Sequence, residues 1–134
     1  MRRTITMTFA LVSVLLSGCG SASTAATQGV TWNLVTVNGA SLPFITQLND
    51  LKIEQLSEQL VVFPEGRYTK VGRQRRTDGT SVSILTDTLS GSYTISETIA
   101  TFGSGMHGVP LTGTLLGDTL TLAMARTTYV YAKQ

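Results

Sequence analysis

Few side chains in this sequence are of the kinds that do chemistry. His107 is its one histidine and Cys19 its one cysteine. A lone cysteine has no disulfide partner in the chain, and a single histidine beside it does not make a Cys/His zinc site. Nucleophilic catalysis needs a base beside its nucleophile. No Gly-x-Ser-x-Gly elbow occurs, and Ser104 lies near His107 only in loop-like sequence. His107 therefore reads as an exposed loop residue. Residues Gly103 to Gly108 spell Gly-x-Gly-x-x-Gly. That motif grips a pyrophosphate only where a helix begins after it. Here Val109-Pro110-Leu111-Thr112-Gly113 follows, which is strand-like. Asp78 and Asp118 sit in turn sequences, where aspartate is a turn former. The expectation is a non-catalytic protein with no metal and no cofactor.

The remaining charge feature is a cluster of five cations within ten residues: Arg67, Lys70, Arg73, Arg75 and Arg76. On an extended chain Arg67, Arg73 and Arg75 share one face, and Lys70 and Arg76 the other. A solvated edge strand uses charge in this way to discourage pairing. The functional alternative is contact with anionic headgroups, polymers or an acidic ligand. Trp32, Tyr93, Phe102, Tyr129 and Tyr131 form a second group. Aromatic residues at alternating strand positions fill a core or line a pocket, and in a small barrel they do both.

The elements that position these residues read as strands. Nineteen threonines follow Cys19, and β-branched and aromatic residues recur with period two between turn residues. Runs are expected at Trp32–Val37, Leu60–Phe63, Arg67–Gln74, Val82–Thr86, Leu89–Ile95, Thr98–Phe102, Val109–Leu115, Leu120–Met124 and Thr127–Ala132. Asn38-Gly39, Asp78-Gly79 and Gly117-Asp118 mark tight turns, the last of type II′. Ile45, Leu48 and Leu51 have helical spacing, so a short helical turn is expected near 44–49 and a strand near 51–56. Eight to ten strands with short connections are antiparallel neighbours in a meander. Such a meander hides its edges by closing into a barrel, with a sandwich as the other solution. With 134 residues, a single domain is expected.

The N-terminus has a different character. Arg2 and Arg3 precede an apolar run, Ile5–Leu16, too short for a comfortable span of the bilayer. It ends Leu16-Ser17-Gly18-Cys19. This resembles the lipobox of bacterial lipoproteins. The resemblance implies a signal peptide over 1–18, removed on export, and lipidation of Cys19, with 19–28 as a Ser/Ala/Thr-rich tether. Two or three acyl chains would hold the protein firmly on a membrane of the cell envelope. Gly20 follows the cysteine where an aspartate would signal inner-membrane retention. The outer membrane is the expected site if the cell has one. Loss of Arg2 and Arg3 leaves eight basic and eight acidic side chains, so nucleic acid is not an expected partner.

The remainder, 29–134, resembles the lipocalin-like domains of small secreted bacterial proteins. The likeness rests on Gly29-Val30-Thr31-Trp32-Asn33-Leu34 with Val37-Asn38-Gly39 and Leu42-Pro43. It continues in Leu89-Ser90-Gly91-Ser92-Tyr93, in Gly117-Asp118-Thr119-Leu120-Thr121-Leu122, and in Tyr129-Val130-Tyr131. It implies an all-β, small antiparallel up-and-down β-barrel of about eight strands. Lipocalins open with Gly-x-Trp; here the spacing is one residue longer. The resemblance implies that Trp32 plugs the closed end of the barrel. It offers Arg126 as the arginine that packs on that tryptophan, the other reading being a solvated turn residue. Two functions follow as expectations. One is an envelope lipoprotein holding a small apolar or amphiphilic molecule in the barrel. The other is a module with a filled core that docks an envelope protein or polymer.

Overall fold

The computed structural model describes residues 28–103 and 110–134. The proposed signal peptide, Cys19, nearly all of the tether, Ser104 and His107 lie outside them. Ten strands follow in order: β1 (Val30–Val37), β2 (Ala40–Ser41), β3 (Phe44–Leu48), β4 (Leu51–Phe63), β5 (Arg67–Asp78), β6 (Ser81–Ser96), β7 (Ile99–Phe102), β8 (Leu111–Leu116), β9 (Thr119–Met124) and β10 (Thr127–Lys133).

From β4 to β10 each strand pairs antiparallel with the next. β1 closes the ring by pairing with β10 on one side and with β4 on the other. Every element has an alternating or β-branched sequence, and closure removes the edges that such strands would otherwise expose. The result is a closed eight-stranded antiparallel barrel of lipocalin-like architecture, with β2 and β3 added at the β1–β4 seam. β1 meets only the second half of β4, through Val30↔Val62 to Asn33↔Gln59. β3 takes the first half, through Phe44↔Gln55 to Leu48↔Leu51.

Four expectations are corrected here. Phe44–Leu48 is a strand, not a helical turn. The expected strands at 51–56 and 60–63 are one strand, bulged where register shifts between Gln55 and Ser57. The runs at 82–86 and 89–95 are likewise one strand. Nor is β5 an edge, because twelve of its residues pair with β4 or β6 on each side.

The tight turns follow their sequence. Asn38 and Gly39 both have positive φ (51° and 79°), as a type I′ turn requires. Gly117 is positive at 57° before Asp118, as the first position of a II′ turn requires.

The two ends of the barrel differ. The N-terminus of β1, the β8–β9 turn and the end of β10 share one end, where Trp32 stands opposite Leu60 and Lys133. Trp32, Ala100 and Leu120 are buried there at 6%, 2% and 2% exposure. Trp32 is part of the buried core at this packed end. Arg126 lies in the β9–β10 turn at the opposite end, too far along the strands to pack on Trp32. The cation at the register position beside Trp32 is Lys133 instead.

Candidate functional site

Alternation along the strands sends one residue in two into the barrel, and near the middle these side chains do not fill it. A cavity of about 420 Å³ remains. Pro110, Met124 and Ala125 line its rim, which places the mouth at the end carrying the β9–β10 turn. Leu60 and Tyr131 form its deeper surface.

Its walls are of two kinds. Leu89, Phe102, Leu111, Leu122 and Met124 from β6 to β9 make one side apolar. Gln55 and Glu58 of β4 and Lys70 and Gln74 of β5 make the facing side polar. Gln55 and Glu58 are three residues apart and would point to opposite faces of a regular strand. The bulge at Leu56 absorbs the extra residue and turns both inward.

Glu58 is the centre of the polar wall. It is 8% exposed. Tyr131 donates its hydroxyl to Glu58 Oε1. Lys70 Nζ donates to Glu58 Oε2 at 3.3 Å. Gly72 is the cross-strand partner of Glu58, and a Cβ there would stand 3.4 Å from Glu58 Oε2. A larger residue at 72 would crowd the carboxylate. Next to this pair Gln74 Nε2 donates to Gln55 Oε1 at 2.9 Å, and Gln55 Nε2 donates to the Ser57 carbonyl at 2.8 Å. A buried carboxylate is tolerated when it is paired and hydrogen-bonded, and both conditions are met. Burial, and then the charge of Glu58, push the Tyr131 and Tyr129 phenols above their usual range. Both stay neutral donors at any ordinary pH.

The five aromatic residues singled out from sequence divide by depth. Phe102, Tyr129 and Tyr131 line the cavity. Trp32 and Tyr93 lie in or against the packed core outside it. Tyr93 stacks on Phe102 with centroids 6.0 Å apart and donates to the Phe63 carbonyl at 2.9 Å. Tyr68, not singled out from sequence, meets Phe102 edge-on at 5.2 Å. Its ring lies across Gly91, where a Cβ would come within 2.8 Å of the ring. That close approach explains the glycine in Leu89-Ser90-Gly91.

The five cations do not form one surface. Arg67, at the packed end, pairs with exposed Glu65 at 2.6 Å. Arg75 on the outer face grips Glu54 with Nε and Nη2 at 2.6 and 3.1 Å, and Lys52 stands 3.2 Å from the same carboxylate. The Arg75 hydrogen bonds hold the Glu54 carboxyl below its usual value, against the effect of burial. Arg73 lies opposite Ser57 and Thr86, and Arg76 opposite Ile53 and Ser83. Lys70 alone enters the cavity.

Sequence reasoning missed Glu58, Gln55 and Gln74. A signal for Glu58 exists: it shares a strand face with Leu60 and Val62, so it is a charge on an apolar stripe. Among the described residues no group of three His, Cys, Asp or Glu side chains could hold a metal ion. No family model, no curated protein and no solved structure matches the chain.

Proposed function

We propose that the protein is a lipid-anchored envelope lipoprotein whose barrel binds a small amphiphilic molecule without transforming it. The observation that carries this reading is the cavity. At about 420 Å³ among the described residues, with an apolar wall and a few convergent polar groups, it has the size and lining of small-molecule sites. The docking alternative expects a filled core, and the described residues leave a cavity instead. The anchor rests on the residues Leu16-Ser17-Gly18-Cys19. The described chain starts at the packed end, beside β1, so a tether from Cys19 leaves the mouth at the far end of the barrel.

The test is native mass spectrometry of the full chain after exposure to an envelope lipid extract, for the wild type and for Leu89→Trp. Leu89 lines the cavity, and an indole there occupies the space a ligand needs. A reproducible adduct on the wild type that Leu89→Trp loses is the expected result. An apo mass that persists in the extract, or an adduct that Leu89→Trp keeps, sinks the reading.

A further inference from the structure

We infer that the cavity selects uncharged amphiphiles whose polar end accepts a hydrogen bond, and rejects carboxylate and amine amphiphiles of the same size. This rests on the ligand-binding reading above and adds the chemical class of the ligand.

Among the described lining residues, Glu58 and Lys70 carry the only charges. They face each other at 3.3 Å and sum to zero. Their side chains are 8% and 18% exposed, so both have given up most of their water. An ion brought into such a space loses its own hydration and needs an unpaired counter-charge in return. None is present. A carboxylate that approached Lys70 would also approach Glu58, and an amine that approached Glu58 would also approach Lys70.

Hydrogen bonding decides what a neutral ligand must offer. An ammonium has three donors. Lys70 spends one on Glu58, and no other acceptor bonds it among the described residues. Two N–H groups therefore remain for the cavity. Each Glu58 oxygen already accepts a bond, from Tyr131 and from Lys70. Each oxygen keeps a further lone pair, but a buried N–H left without an acceptor is tolerated less well than a free lone pair, so the spare donors of Lys70 set the demand. A ketone, ester, amide or hydroxyl oxygen answers them without adding charge. A bare hydrocarbon leaves them unpaired, and loses affinity for that reason.

The experiment is calorimetric titration of the full chain at neutral pH with three ten-carbon probes: 2-decanone, decanoate and decylammonium. The wild type is expected to bind the ketone on the order of tenfold tighter than either ion. Glu58→Gln keeps the shape and leaves Lys70 uncompensated, so its preference turns to decanoate. Lys70→Met leaves Glu58 uncompensated and turns it to decylammonium. The double variant Glu58→Gln/Lys70→Met is neutral again and needs no buried charge. It provides the check if Lys70→Met alone does not fold, and it is expected to disfavour both ions. Wild-type binding of either ion as tight as the ketone overturns the inference, as does an unchanged order in Glu58→Gln. Failure of the underlying reading looks different. There, no probe binds the wild type, or Leu89→Trp binds all three as before, and the inference falls with it.

Discussion

The packed end and the mouth are built from the same eight strands, yet their interiors differ in kind. At the packed end Trp32, Ala100 and Leu120 are nearly inaccessible, and what they meet is hydrocarbon and ring. Further along, the inward positions of β4 and β5 carry Gln55, Glu58, Lys70 and Gln74 around open space. Beyond the mouth the β5–β6 hairpin leaves Ser81–Thr88 exposed on both faces. Alternation fixes only which face a residue takes. What occupies that face sets stability in one half and recognition in the other.

The largest test of this division is a pair of truncations. Leu120 is 2% exposed and lines no cavity. Leu120→Ala opens a void in close-packed surroundings and is expected to cost about 2–5 kcal/mol. Met124 lies four residues along the same strand, at the cavity rim. Met124→Ala enlarges a space that already exists, so it is expected to cost less than about 1 kcal/mol. Urea denaturation of both variants measures the difference. Equal losses would mean that the mouth is packed as tightly as the base.

Much of the fold was legible in the sequence, the polar wall was not, and the misses have physical causes. Asn38-Gly39, Asp78-Gly79 and Gly117-Asp118 announced three turns because positive φ restricts residue choice. Period two announced the strands on either side. The apparent helix at Ile45, Leu48 and Leu51 arose from a hairpin. Leu48 and Leu51 are cross-strand partners flanking Asn49-Asp50, and a two-residue turn gives the same spacing of three as a helical turn. β4 was broken in two because the bulge at Leu56 interrupts its alternation. β5 resembled an edge because its cations are many. Yet Arg75 is spent on Glu54 at the outer face and Lys70 on Glu58 inside. Glu58 was readable from its apolar neighbours Leu60 and Val62. Its partner Tyr131, 73 residues away in sequence, became visible only with the closure of β10 on β1.

The second test sharpens the comparison through its phenols. Burial is the first cause that raises Tyr68, Tyr129 and Tyr131 above the ordinary value of 10.0, and Glu58 adds to it for the last two. A group whose folded pKa is raised keeps its proton longer in the folded chain. Stability therefore holds below about pH 10 and falls as pH rises above it. Phenolate absorbance from these three is expected to appear together with loss of the fold, read by near-ultraviolet circular dichroism on the same samples. Glu58→Gln removes the charge that opposes ionisation of Tyr129 and Tyr131 and leaves the Lys70 ammonium without its partner, so it should move the transition to lower pH. Smooth ionisation near pH 10 in a folded protein would place these rings in water and dissolve the distinction between wall and surface.

The smallest effect comes from two consecutive turns, one at each end. At the packed end Gly117 takes φ of 57°; at the mouth Ala125 takes φ of 53°. The left-handed region costs an L-residue about 1–2 kcal/mol. Glycine escapes that cost but loses about 0.5–1 kcal/mol in chain entropy. Ala125→Gly should then stabilise by about 0.5–1 kcal/mol, seen as a higher urea midpoint at unchanged slope. Gly117→Ala should lose a similar amount, since nothing lies within 4 Å of a Cβ built there and only the backbone angle opposes it. Because Ala125 lines the rim, the same variant reports on the mouth. A gain in stability with unchanged ligand affinity means that the strained turn merely closes the strand pair. A gain in stability with lost affinity means that the turn's conformation shapes the entrance.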